Sequence, residues 1–149
     1  MQSRIESGYL LKIRQDLVLN VSFAWFLTES QVIEIKLPSS VADSKFAAIL
    51  NFGNKLQIEL IKTRKHWILR QADVLFRPDF SRWDYSKFEL LAELNKIILD
   101  SVHLDQDCRI NDIIDRYIQV LNKPELNLPI KEAAVQFKNE LLRRLGFSD

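Results

Sequence analysis

Apolar and polar residues alternate through the first half of the chain, and this period of two predicts β-strands with one buried face. Leu56, Ile58 and Leu60, for example, alternate with Gln57 and Glu59. The same pattern occurs in earlier segments and again after a short polar stretch. The predicted strands cover residues 7–14, 17–28 and 31–37, followed by the two arms of a hairpin over residues 55–74 with its tip at residues 62–66.

The first two predicted strands have apolar residues on both faces. Strict alternation divides the first strand into one face with Tyr9, Leu11 and Ile13 and another with Leu10, Lys12 and Arg14. The second strand has an unbroken row of apolar residues at alternate positions from Leu17 to Leu27. A strand of this length usually bends and contributes to two faces, as in a small barrel.

The spacing of apolar residues becomes helical in the second half of the chain. Helices are predicted over residues 85–102 and 110–121 and from about Pro129 to a C-cap at Gly146, and the first is capped by Ser81 or Asp84. Residues 77–83 form a connection between the two halves, and 103–107 form a loop. Residues 41–52 lack alternation, and they form either a short helical turn capped by Asp43 or Ser44 or an irregular connection.

Strands followed by helices predict an α+β protein. The expected organisation is a five-stranded OB-like β-barrel over residues 1–80 and a small three-helix domain over residues 81–149. An SH3-like barrel is the nearest competing architecture for the first domain. The helices are expected to pack against the barrel, because three helices leave one apolar face to be covered.

Composition favours a folded cytoplasmic protein. The chain has 149 residues, of which 47% are hydrophobic, so it can bury a sizeable core. The longest apolar run is too short and too polar for a membrane span, and the N-terminus does not resemble an export signal. The single cysteine, Cys108, excludes an internal disulfide and is typical of a reducing compartment.

Few residues are available for catalysis. The chain has two histidines, His66 and His103, and no glycine-rich phosphate loop. Residues 103–107 contain potential metal ligands, but a solvated loop explains them better. We therefore expect no enzymatic activity, no cofactor and no metal. A hydrolase or transferase with an unrecognised site is the weaker alternative.

Binding to nucleic acid is the function that the charge distribution suggests. The net charge is only +1, but residues 1–80 carry 11 Lys and Arg against 8 Asp and Glu, whereas residues 81–149 carry 10 against 12. Cations on a barrel can bind phosphates, and an aromatic ring can stack on bases. The candidate DNA-binding residues are Lys12, Arg14, Lys36, Lys45, Lys62, Arg64, Lys65 and Arg70 as cations and Trp67 as the stacking residue. Core packing is the other interpretation of Trp67, and an ordinary solvated hairpin tip is the other interpretation of residues 62–65.

The order of several short motifs resembles the RecO family of bacterial DNA-repair mediators. The motifs are GYLL at residues 8–11, FLTES followed by VIEI at 26–35, DSKFAAIL at 43–50, KLQIEL at 55–60 and FKNELLRRLGF at 137–147. Together they extend over most of the chain. Two features of the family are missing, namely the glycine- and arginine-rich segment before the Ser-Lys motif and the four-cysteine zinc cluster of some members.

The resemblance implies a fold and a function. RecO proteins begin with an OB domain, bind single- and double-stranded DNA, anneal complementary strands, act with RecR and help RecA load onto DNA coated by the single-strand-binding protein. It also implies a nucleoid-associated location and places Lys45 in a loop near DNA. Some members bind the acidic C-terminal tail of the single-strand-binding protein on the helical domain, for which the candidates here are Lys138, Leu142, Arg143 and Arg144.

A protein-interaction adaptor that does not touch nucleic acid is the competing hypothesis. The near-neutral net charge and the missing arginines favour it. The two hypotheses differ in the expected placement of the basic residues, because a DNA-binding protein should gather them on one face of the barrel.

Overall fold

The computed structural model describes residues 2–37, 46–123 and 129–147. Within these residues, five strands precede three helices, so the predicted α+β class is confirmed. The strands are β1 (Ser3–Asp16), β2 (Val21–Leu27), β3 (Val32–Leu37), β4 (Lys55–Lys62) and β5 (Trp67–Phe76), and the helices are α1 (Tyr85–Ser101), α2 (Asn111–Leu121) and α3 (Ile130–Arg144). A short 3-10 turn, Phe80–Arg82, lies in the connection between β5 and α1. The division into domains at residues 80 and 81 stays a prediction.

The strands close into a hydrogen-bonded ring in the order β1-β2-β3-β5-β4. Neighbouring strands are antiparallel except at one seam, where β3 and β5 run parallel. The described pairs at this seam are Ile35 with Trp67 and Lys36 with Ile68. The long strand β1 pairs with a different neighbour along each half of its length. Its first half pairs with β4, and its second half pairs with β2.

The interior of the ring is filled by one side-chain row from each strand. Ile33, Ile35 and Leu37 point inward from β3, as the alternation predicted. The connection between β3 and β4 adds Phe46 and Leu50, which are buried in the same cluster. The other members are Leu10, Ala24, Phe26, Leu56, Ile58, Leu60, Leu69 and Ala72. These apolar rows explain why the strands close on themselves, because an open sheet would leave them in water.

A second core joins the outside of the ring to the three helices. The ring contributes Tyr9, Leu11, Leu27 and Val32. The helices contribute the apolar stripes that their period predicted, including Leu90, Leu94 and Ile98 of α1, Ile113, Ile114 and Ile118 of α2, and Ala133, Phe137 and Leu141 of α3. Trp83, from the connection, is buried in this core as expected. None of the helices in the described residues is both long and apolar enough to cross a membrane.

A bulge in β1 corrects the predicted division of its side chains. The pairing with β2 shifts between Leu10 and Lys12, so strict alternation fails at Leu11. Leu11 joins Tyr9 in the core against the helices, whereas Ile13 packs against the ring interior with Leu10. Lys12 and Arg14 therefore do not share a face with Leu10. Both lie on the outer surface and are exposed.

The second strand is shorter than its apolar pattern predicted. It begins at Val21, and residues 17–20 form a turn between β1 and β2. Leu17, Val18 and Leu19 are 82%, 93% and 67% exposed. The prediction of a strand from residue 17 was wrong because Asn20 adopts a left-handed conformation, with φ of 51°, that turns the chain back.

The helix ends agree with the predicted signals where the structure describes them. The carboxylate of Asp84 accepts a hydrogen bond from the Lys87 amide at 3.1 Å and caps α1. Gly146 has φ of 92°, and the amides of Gly146 and Phe147 donate to the carbonyls of Arg143 and Leu142, which is the Schellman motif. The proposed caps Asp43 and Ser44 lie outside the described residues.

Gly8 of β1 lies directly against the backbone of β2. A Cβ atom built on Gly8 would lie 1.7 Å from the carbonyl oxygen of Leu27 and 2.8 Å from its carbonyl carbon. Both atoms belong to the backbone, so a flexible side chain cannot move aside. The ring can close at this position only with glycine.

We expect Gly8→Ala to destabilise the protein by about 3 kcal/mol or more, because the added methyl group forces two strands apart. Gly146→Ala is the matched control. Its Cβ would meet no atom within 4 Å, so it should cost only about 1 kcal/mol from the left-handed backbone. Urea denaturation of both variants measures the difference. Equal losses of stability would contradict the steric role of Gly8.

A polar contact fixes α2 to the ring. The Tyr9 hydroxyl donates a hydrogen bond to Asp115, and the Lys55 ammonium lies 3.2 and 3.1 Å from the two oxygens of that carboxylate. Lys55 pairs with Tyr9 across β1 and β4, so one carboxylate holds two neighbouring strands. Burial and the hydrogen bond to Asp115 both raise the pKa of Tyr9.

Removing this carboxylate should loosen the helices from the ring. We expect Asp115→Ala to lower the free energy of unfolding by about 1–3 kcal/mol, because it leaves the Tyr9 hydroxyl and the Lys55 ammonium without their acceptor. Asp107→Ala is the control, because its pair with Arg109 is well exposed and should contribute less than about 1 kcal/mol. Thermal denaturation followed by circular dichroism measures both, and equal effects would argue against the contact.

Candidate nucleic-acid interface

Cations and aromatic rings occupy adjoining positions on the outer surface of β1, β2 and β3. We call Lys12, Arg14, Phe23, Trp25 and Lys36 the cationic–aromatic face. Two lateral rows build it, because Arg14 pairs with Phe23 and Phe23 with Lys36, while Lys12 pairs with Trp25. All five positions share the outward side, since the interior rows of these strands lie between them. The bulge at Leu11 thus brings the cations of β1 beside the rings of β2.

The cations of β1 lie over the rings of β2. The Lys12 ammonium is 5.3 Å from the centre of the Trp25 ring, and the Arg14 guanidinium is 5.1 Å from the centre of the Phe23 ring. Both distances are within the range of a cation–π interaction, which contributes about 0.5–1 kcal/mol at an exposed site. The contacts place the exposed cations over rings that are themselves largely covered, because Phe23 is only 9% exposed and Trp25 is half-buried against the helical core. Glu34 pairs with Trp25 on its other side and is the acidic residue of this row.

The β4–β5 turn extends this face. The ring of His66 lies 5.6 Å from that of Phe23, so the turn borders β2. Thr63 shapes the turn, because its amide and its hydroxyl both donate to the carbonyl of His66. Arg64 and Lys65 are exposed at the tip. The predicted hairpin is confirmed, and its two tip cations stand next to the cationic–aromatic face.

Trp67 lies at an inward-facing position rather than on this face. It pairs with Ile35 and packs against the ring interior. The Arg4 guanidinium is 5.4 Å and the Lys62 ammonium 4.9 Å from the centre of its ring. Arg4 itself donates to Glu6 and Gln31. These contacts agree with the packing interpretation of Trp67, and its role in stacking on bases stays a prediction.

The remaining candidate cations are dispersed. Arg70 is exposed on β5, with its guanidinium 3.7 Å from the carboxylate of Glu59 on β4. Lys45 lies outside the described residues. The cations that the structure brings together are thus Lys12, Arg14 and Lys36, with Arg64 and Lys65 at the adjoining tip.

The proposed partner-binding residues of α3 point in different directions. Lys138 borders a groove between α1 and α3 together with Glu93 and Lys96. Arg144 binds Asp112 of α2 through two hydrogen bonds of 2.7 and 2.9 Å, which lower the pKa of that carboxyl. Six residues separate Lys138 from Arg144, so at 100° per residue they occupy different sides of the helix. Leu142 is half-buried and Arg143 is exposed.

An apolar groove of about 790 Å³ separates the ring from α1. Phe52 and Phe88 line it and are both exposed, and Lys12 and Lys96 lie at its edge. The groove therefore adjoins the cationic–aromatic face at Lys12.

The described part of the chain contains no group of three His, Cys, Asp or Glu side chains placed to hold a metal ion. Cys108 is buried, and its burial raises the pKa of the thiol. Its amide donates to the carbonyl of Ser30, which ties the loop before α2 to the turn between β2 and β3. These contacts assign Cys108 to packing.

Phe23 and Trp25 are the aromatic neighbours of Lys12 and Arg14 that sequence reasoning did not include among the candidate DNA-binding residues. Trp25 was interpreted as structural, and it packs against the core between the ring and the helices. Phe23 was interpreted as one member of the apolar row of the second strand, and it is only 9% exposed. Their place beside Lys12 and Arg14 depends on the register between β1 and β2, which the bulge shifts. The one local signal was the coincidence of two alternating cations with two alternating rings in consecutive strands.

No protein-family profile matches the chain, and no curated protein matches its sequence. The similarity to the RecO family therefore rests on the short motifs quoted above.

Proposed function

We propose that this protein is a non-catalytic, RecO-like mediator of DNA repair and recombination that binds DNA through its cationic–aromatic face. The observation that carries the proposal is the pairing of Lys12 with Trp25 and of Arg14 with Phe23 on adjoining strands. Cations gathered on one face suit a single strand, because binding its phosphates releases counterions. Trp25, the more exposed of the two rings, is the candidate for stacking on a base.

The proposal includes an OB-type barrel. The strand order β1-β2-β3-β5-β4, closed by a short parallel seam, supports this assignment. OB-folds bind oligonucleotides on the face of their second and third strands and with the loops that follow strands 1 and 4. Those elements correspond here to the cationic–aromatic face, to residues 17–20 and to residues 63–66. The positions of Lys12, Arg14, Lys36, Arg64 and Lys65 on these elements support the proposal, whereas Trp67 and Arg70 lie elsewhere on the ring.

The mechanism proposed for the protein is strand annealing by charge neutralisation. Two complementary strands repel each other through their phosphates, and cations that neutralise several of them allow the bases to pair. Partnership with RecR, with the acidic tail of the single-strand-binding protein and indirectly with RecA comes from the family resemblance and belongs to the same proposal. So does a cytoplasmic, nucleoid-associated location.

An adaptor without nucleic-acid contacts is the second candidate, and the apolar groove beside α1 favours it. Exposed Phe52 and Phe88 offer contact area to a partner protein. The gathering of Lys12, Arg14 and Lys36 on one face favours the DNA-binding candidate over it. A direct binding measurement with DNA separates the two.

We expect the Lys12→Gln/Arg14→Gln variant to bind a single-stranded oligonucleotide about tenfold or more weakly than the parent. The log–log salt slope should flatten by about 1.4, because each phosphate contact on a single strand contributes about 0.7. Fluorescence anisotropy over about 50 to 300 mM salt measures both quantities. The control is Arg77→Gln/Lys131→Gln, which removes the same charges from exposed positions outside the face. If the parent does not bind at low salt, the adaptor candidate replaces this proposal.

We expect a separate contribution from the turn between β4 and β5. Arg64→Ala/Lys65→Ala should weaken binding to all oligonucleotide sequences about equally and flatten the salt slope by roughly one to two. The same anisotropy titration, repeated with oligonucleotides of different base composition, tests it. Unchanged affinity and slope would remove the turn from the interface while leaving the role of Lys12 and Arg14 standing.

A further inference from the structure

The turn between β1 and β2 exposes three consecutive apolar side chains. Leu17, Val18 and Leu19 are more than two-thirds in contact with solvent, and Val18 is 93% exposed. Single exposed apolar residues are common on protein surfaces, but a contiguous group at a projecting tip marks an interaction site. Packing among residues 2–37, 46–123 and 129–147 does not account for these side chains.

The apolar tip, residues 17–19, is held in a defined shape. One oxygen of the Asp16 carboxylate accepts the amides of Val18 at 3.0 Å and of Leu19 at 3.1 Å. Asn20 then turns the chain into β2 with φ of 51°. Because these contacts order the backbone, the tip presents its side chains at a fixed position, which lowers the conformational cost of binding.

The apolar tip lies at the end of the cationic–aromatic face. Asp16 pairs with Val21, and two positions further along the strands Arg14 pairs with Phe23. At about 3.3 Å per residue, the tip begins roughly 7–10 Å beyond the Phe23 ring. This distance is about two to three base steps of a stacked strand. A strand whose phosphates bind Lys12 and Arg14 would therefore extend directly to the tip.

We propose that the apolar tip inserts between bases and opens the stack of DNA that lies on the cationic–aromatic face. The inference rests on the proposed function and adds an action to it. Apolar side chains that enter a base step unstack it, while nearby cations hold the backbone. At a junction between a single strand and a duplex, the face binds the single strand and the tip displaces the first base pair.

The charges around the tip favour DNA over a lipid surface. A membrane-inserting tip needs cations arranged around it at the level of the headgroups. Here Lys12 and Arg14 lie along one side, set back from the tip and each placed over an aromatic ring. Arg64 and Lys65 extend the same face on the turn that borders Phe23. The residue at the base of the tip is Asp16, an acid, where a membrane contact would favour a cation. Its carboxylate accepts hydrogen bonds from backbone amides of the tip.

The test uses a DNA hairpin with a single-stranded arm and with aminopurine in the first base pair of the duplex. The fluorescence of aminopurine rises when the base leaves the stack. We expect saturating parent protein to raise it several-fold and Leu17→Ser/Val18→Ser/Leu19→Ser to abolish the rise. Affinity for the junction should fall about tenfold, whereas affinity for an oligonucleotide without a duplex should change less than about threefold.

A composition-matched control is available. Leu75→Ser/Leu104→Ser/Val135→Ser removes two leucines and one valine that are exposed elsewhere, and it should leave the fluorescence rise intact. Loss of the rise in this control, or the same rise in the tip variant as in the parent, overturns the inference while DNA binding stands. Failure of the parent to bind either DNA overturns the proposed function as well.

Membrane binding is the competing outcome. Flotation with vesicles that contain about one-third phosphatidylserine tests it. If the parent binds these vesicles, the tip variant does not, and both give the same aminopurine signal, the tip is a lipid contact and the inference is wrong. If the tip variant loses the aminopurine rise and the parent does not float with the vesicles, the inference is supported.

Discussion

The pairing of β1 with β2 controls the whole structure through two neighbouring features. At Gly8 the strands approach so closely that the Leu27 carbonyl leaves no room for a side chain. Three residues later the bulge at Leu11 shifts the register by one residue. Because a shift of one residue exchanges the two faces of a strand, the segment before the bulge covers the helices and the segment after it presents Lys12 and Arg14 to solvent. This shift therefore determines which residues of β1 pack against the helices and which form the candidate interface.

The two cores stabilise different parts of the chain. The ring interior holds the strands together without the helices, whereas the outer core needs both parts. The contact of Asp115 with Tyr9 and Lys55 fixes the position of α2 on the ring. Hydrogen bonds require a defined distance and angle, whereas apolar packing allows the helix to shift along the ring. The surface left uncovered by the helices includes β1 beyond the bulge and the start of β2, whereas Trp25 and Leu27 of β2 pack toward the helices. This is the part of the ring on which the cationic–aromatic face can form.

The sequence was sufficient for elements whose pattern is local. The period of two in β3 and in the β4–β5 hairpin, the apolar stripes of the helices, the Asp84 cap and the Gly146 end all depend on neighbours within a few residues. It was insufficient for β1 and for the start of β2. The bulge at Leu11 belongs to the pairing of β1 with β2, and no pattern within β1 alone reveals it. The apolar row from Leu17 led to the wrong start for β2, because an exposed turn and a buried strand can contain the same apolar residues. The candidate interface was predicted in its cations, but Phe23 and Trp25 required the register.

The burial of Cys108 makes this protein convenient for site-specific chemistry. Thiol reagents attack the thiolate, and burial of Cys108 both blocks access and disfavours that form. Since the chain has no other cysteine, a cysteine introduced at an exposed position would be the one reactive thiol. A fluorophore or cross-linker could then be attached at a chosen point, such as the turn between β1 and β2, without replacing the native residue first.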